Sequence, residues 1–150
     1  MFGFRRMLPV VMALALAPIA SYGKTVAECA VPDAMIQSFP GVIAGEKGVD
    51  WRYIAHGQST LRLIKEKAGI DLVLVDSAGA TYSVLAGKGE LALTEGRGGG
   101  FMHVVVTNDG ALDHFLFEER ERGNGSLFWS AAAQAGGRAP VSISTVCQFL

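Results

Sequence analysis

The sequence predicts an all-β protein, a single antiparallel β-sandwich or flattened barrel with one short N-terminal helix. Three observations lead there. From residue 49 onward short apolar runs rich in Val, Leu, Phe and Thr recur about every eight to twelve residues, with Gly, Asn and Asp between them, the spacing of strands joined by tight turns. Residues 102–117 put Met102, Val104, Val106, Phe115 and Phe117 at alternate positions on either side of an Asp-Gly pair, the signature of a hairpin with one buried face. Two cysteines, Cys29 and Cys147, stand far apart in the chain, as a disulfide that closes one domain would place them.

The first stretch, MFGFRRMLPVVMALALAPIASYG, puts Arg5 and Arg6 before an apolar run and small residues after it. That is the layout of a secretory signal peptide, expected over residues 1–23, with a single β-sandwich domain over 24–150. The run is shorter than the ~20 residues a bilayer crossing needs, and Pro9 and Pro18 interrupt it. No membrane span is therefore expected after cleavage, and the protein is expected in the periplasm or secreted. In such an oxidising compartment Cys29 and Cys147 are expected to pair.

Within the remaining chain, Pro32 and Asp33 open a short helix that Pro40 and Gly41 stop. Strand candidates follow in order: WRYIAH, TLRLIKE, DLVLVD, TYSVLA, ELALTE, FMHVVVT, LDHFLFEE, SLFWSAAA and VSISTVCQF. Between them, DSAG (76–79) and the glycines around Lys88 read as hairpin turns, and ERERGNG (119–125) as a solvated loop. In the last strand Val141, Ile143, Thr145 and Cys147 share one side, so Cys147 points with the apolar residues.

The hairpin 102–119 carries the main chemical question. With its turn at Asp109-Gly110, Thr107 faces Leu112, Val105 faces His114 and His103 faces Leu116. Met102, Val104, Val106, Phe115 and Phe117 then form one apolar face, which a slip of one residue would scatter. His103 and His114 become diagonal neighbours on the other face, with Asp113 pointing away from them. A zinc site needs three or four ligands, and only His56 is available as a third imidazole. The pair is read as partly exposed strand histidines, with no metal and no cofactor expected; the alternative is a small metal-dependent hydrolase using His56, His103 and His114.

Other chemistries lack their motifs. No GxSxG elbow is present, and neither GKGE nor GRGGG has the GxxxxGK[ST] form of a phosphate loop. Asp71 and Asp76 flank the LVLV strand and read as turn caps, with calcium as the alternative. Loss of Arg5 and Arg6 from 13 basic residues, against 14 acidic ones, leaves a net charge of −3 and no basic stripe for nucleic acid. What remains for recognition is aromatic and cationic: Trp51, Tyr53 and Trp129, with Arg97, Arg120 and Arg122 on the loops TEGRGGG and ERERGN. Phe128 and Trp129 are adjacent and must point to opposite faces, so one of them needs cover.

Gly57 and Gln58 at a turn, the hairpin pattern Asp71, Leu72, Leu74, Asp76 and Gly79, and the late strand Gly100, Met102, Val104 and Val106 together resemble the bacterial pre-peptidase C-terminal domain, a small secreted β-sandwich. The resemblance covers residues 55–119 and leaves out both cysteines. It implies an exported, non-catalytic accessory module and carries no active-site residues. The sequence is thus read as a non-enzymatic binding or inhibitor-like protein whose partner is a protein or a cell-envelope component. A purely structural envelope protein is the third reading.

Overall fold

The computed structural model describes residues 23–44, 57–67, 69–134 and 137–150. The expected signal peptide, apart from Gly23, and the candidates Trp51, Tyr53 and His56 lie outside them. Ten strands form in the described residues: β1 (Lys24–Pro32), β2 (Val42–Ile43), β3 (Gln58–Glu66), β4 (Gly69–Val75), β5 (Thr81–Ser83), β6 (Glu90–Glu95), β7 (Phe101–Asn108), β8 (Ala111–Glu121), β9 (Asn124–Ala131) and β10 (Val141–Phe149). All neighbours pair antiparallel, so the all-β expectation holds. The short helix is corrected: Asp33–Ser38 is a 3-10 helix of six residues, not an α-helix. Held between Pro32 and Pro40, the segment is too short for the cooperative hydrogen bonding an α-helix needs.

The ten strands make one sheet in the order β2-β5-β4-β3-β1-β10-β9-β8-β7-β6. A single chain of pairings could lie open, but the connection from β5 to β6 forbids it. In a flat sheet those strands would stand eight spacings apart, about 38 Å. The six residues 84–89 joining them reach at most about 25 Å. The sheet therefore curls into a half-barrel, so that its two wings face each other as the layers of a sandwich would. The glycines around Lys88, expected to turn a hairpin, instead form this crossover. Close packing shapes it, since a Cβ on Gly89 would meet the Val84 side chain at 2.7 Å.

The concave side holds one core. Leu61 and Leu63 of β3 and Leu72 and Leu74 of β4 come from one wing, and Val104, Val106, Phe115, Phe117, Leu127 and Trp129 from the other; all are fully buried. Trp129 stacks on Phe115 with ring centroids 5.1 Å apart, and Phe39, just past the 3-10 helix, meets both edge-on. These aromatic contacts add about 0.5–1.5 kcal/mol each beyond burial itself. At the middle of the sheet β1 and β10 pair directly, with Cys29 opposite Cys147 and the two joined by a disulfide across a Cα–Cα distance of 4.1 Å.

Two buried carboxylates fix the connections. Asp71 of β4 accepts the Ser83 hydroxyl at 2.6 Å and the Leu85 N–H at 3.1 Å, which orients the start of the crossover. Burial raises its pKa above the ordinary 3.8, outweighing the hydrogen bonds from Ser83 and the Leu85 backbone that favour the anion. A carboxylate raised in this way contributes its stability fully below its unfolded pKa and loses it as pH rises through the folded one. D71N, whose amide can serve both partners without a charge, is expected to flatten the dependence of stability on pH just above 3.8. Urea midpoints of both proteins from about pH 4 to about pH 7 check this, and parallel curves would refute it.

Asp113 of β8 is the second. It accepts Trp129 Nε1–H at 2.9 Å and both terminal nitrogens of Arg138, at 2.8 and 2.6 Å. Arg138 also donates to the Ser38 carbonyl, and Asn108 Nδ2 to that of Pro40 at 3.1 Å. The end of the 3-10 segment is thus tied to β7, β8 and the stretch before β10, which seats Phe39 in the core.

Candidate binding face

Two residues set the hairpin of β7 and β8. Asp109 and Gly110 both take positive φ, 47° and 78°, between the paired Asn108 and Ala111. That conformation matches strand twist, and the register follows: Thr107 faces Leu112, Val105 faces His114, His103 faces Leu116. Met102, Val104, Val106, Phe115 and Phe117 all point into the core, as their alternation predicts. The complementary residues face outward.

Their rows can be read across the outer face of β6 to β10. One row runs Thr94, His103, Leu116, Phe128, Ser144; the next runs Ala92, Val105, His114, Ser130, Ser142. Phe101 faces Glu118 beyond the first row, and Val146 faces Ser126 in line with it. Phe101, Leu112, Leu116, Phe128 and Val146 are all exposed, from 37% for Leu116 to 72% for Val146. Together they form an apolar patch with the half-buried histidines at its centre. Beside Val146 the surface hollows into a groove of about 570 Å³ lined by Glu28, Ala30, Thr60, Asn124 and Gln148 among others.

The histidine side chains lean toward each other from their diagonal positions. His103 Nε2 and His114 Nδ1 are 3.2 Å apart, and the rings stack at 18° with centroids 5.4 Å apart. Among the described residues no group of three or more His, Cys, Asp or Glu gathers in a metal-holding arrangement. The hydrolase alternative needs His56, which lies outside them.

Trp129 is corrected as a recognition residue. It is fully buried, and its neighbour Phe128 takes the outer face. The reason lies in Asp113, which satisfies the indole N–H inside the core, so the larger ring can be buried without a polar loss. The three arginines gather at one end. The Gly100 carbonyl accepts the Glu119 N–H at 3.0 Å, which sets the 96–100 loop carrying Arg97 beside the hairpin carrying Arg120 and Arg122. That hairpin is tighter than the solvated loop expected. Arg122 and Gly123 make a two-residue turn with positive φ between the paired Glu121 and Asn124. Arg120 meets Glu118 in an exposed ion pair at 3.5 Å, a contact worth little in water. Asp76 caps its own turn by accepting the N–H groups of Ala78 at 3.0 Å and Ala80 at 2.7 Å.

Sequence reading missed Phe101, Leu112, Leu116 and Val146 as surface residues. The signal was present in the hairpin register, which placed Leu112 and Leu116 on the face opposite the apolar set. No family model matches the chain, and neither a curated protein nor a solved structure matches it.

Proposed function

We propose that the protein is an exported, non-catalytic binding protein that recognises a partner protein through the outer face of β7 to β10. The observation that carries this reading is the apolar patch of Phe101, Leu112, Leu116, Phe128 and Val146 on otherwise regular strands. Large apolar side chains left exposed on one face, with polar ones between and around them, are a usual mark of an interaction surface. Glu118, Ser126 and Ser130 alternate with the apolar residues and supply polar contacts at the rim. The clustered Arg97, Arg120 and Arg122 at the end of the same wing offer charged contacts beside it.

The disulfide is compatible with a periplasmic or extracellular location. No described helix is long and apolar enough to cross a membrane. Asp71, Asp76 and Asp113 each hold turns or strands in place through their resolved partners, which favours recognition over bond-making.

The double variant L116S/F128S tests the reading. Both side chains are partly covered, 37% and 44% exposed, and pair across the strands, so a loss of about 1–2 kcal/mol is expected, with the fold kept as checked by circular dichroism. Crosslinking of the disulfide-bonded protein in envelope extract is expected to give a discrete adduct that L116S/F128S loses. I43S, altered at the exposed β2 edge away from the patch, is expected to keep it. Equal adduct from all three proteins would refute the assignment of the face.

A further inference from the structure

Among the described residues, the two imidazoles are metal-ligating groups in contact on the outer face. They belong to adjacent strands of the hairpin, with Val105 opposite His114 and Leu116 opposite His103, so the backbone beneath them is fixed by the ladder. Among the described residues neither ring is paired with a carboxylate, and their resolved contact is with each other. That contact has the dimension of a chelate. Two nitrogens each about 2.0–2.1 Å from one ion stand about 2.9 Å apart at a right angle and about 3.3 Å apart at the tetrahedral angle. The observed separation is 3.2 Å.

We propose that His103 and His114 together hold one divalent first-row transition-metal ion, copper(II) in preference to zinc(II), with its remaining positions open to solvent. Neutral imidazole is a good ligand for both ions, and the general affinity order places copper(II) above zinc(II). In the neutral pair one of the facing nitrogens carries a hydrogen and donates it to the other. Binding requires a lone pair on both, so that hydrogen moves to the other nitrogen of its own ring. No net proton is released by this change of tautomer. Both rings are half-buried, with Leu116 opposite His103 and Val105 opposite His114, which limits their motion, so little ordering is left for the ion to impose. This inference is independent of partner binding at the patch and can stand or fall without it.

Titration of tag-free, disulfide-bonded protein with copper(II) chloride and zinc chloride, followed by calorimetry, tests the proposal. Wild type is expected to bind one copper(II) per chain, more tightly than zinc(II), with an electron paramagnetic resonance signal of two equatorial nitrogens. H103Q and H114Q are each expected to weaken binding by about a hundredfold, since each removes one of two tethered contacts. Near-UV circular dichroism of both variants checks that the fold is kept, and H56Q is expected to bind as wild type does. The proposal is overturned if wild type takes up no copper, if H103Q or H114Q binds as wild type does, or if H56Q is weakened as much as they are.

Discussion

R138A is expected to destabilise the protein by about 3–5 kcal/mol, the cost of leaving a buried carboxylate without its cation. Asp113 sits on the core face of β8 with its side chain 1% exposed, and Arg138 is its ion-pair partner through both terminal nitrogens. With Arg138 gone, the Trp129 indole is the remaining resolved donor to that carboxylate, and one neutral hydrogen bond does not offset burial of the charge. The Ser38 carbonyl loses a donor as well, which loosens the segment that seats Phe39. Guanidinium unfolding measures the loss directly. The double variant D113N/R138M, which keeps an acceptor for the indole but buries no charge, is expected to be more stable than R138A. An R138A midpoint equal to that of wild type would show that Asp113 does not depend on Arg138.

Reduction of the Cys29–Cys147 bridge carries the second large effect. The cysteines are 118 positions apart, and in the chain-entropy account a loop of this length contributes about 4–5 kcal/mol by restricting the unfolded chain. The bonded strands are already neighbours in the sheet, so reduction should leave the native spectrum intact while lowering the urea midpoint. The same loss is expected for C29S/C147S without reductant. A change below about 1 kcal/mol would mean that the unfolded chain is as restricted without the bridge as with it.

What could be read in advance followed from strict constraints on few residues. The β7–β8 register was legible because a slip would expose Val104 or Phe115, and because Asp109-Gly110 leaves little choice of turn. The disulfide was legible because only two cysteines exist. The curled single sheet was not: residues 84–89 carry the glycines of a hairpin, and nothing local distinguishes a turn from a crossover between distant strands. Nor could the choice between Phe128 and Trp129 be made from alternation, which is symmetric for neighbours. The clue lay in Asp113, a carboxylate on an otherwise apolar face that needed donors. Strand alternation alone shows only that it points away from the histidines. Its partner, Arg138, lies outside any named strand, where periodicity carries no information. The contact between His103 and His114 was legible as proximity, but side-chain lean decides whether diagonal residues touch.

The pairing of the first strand with the last also governs the order in which the molecule can be completed. A growing or threaded polypeptide delivers Lys24–Pro32 long before Val141–Phe149. The seam between them is thus the final one to be stitched, by a contact about as distant along the polypeptide as any in the fold. Until then each half-built wall presents an unpaired rim capable of joining a neighbouring copy. A chain lacking Val141–Phe149 would leave that rim permanently uncovered.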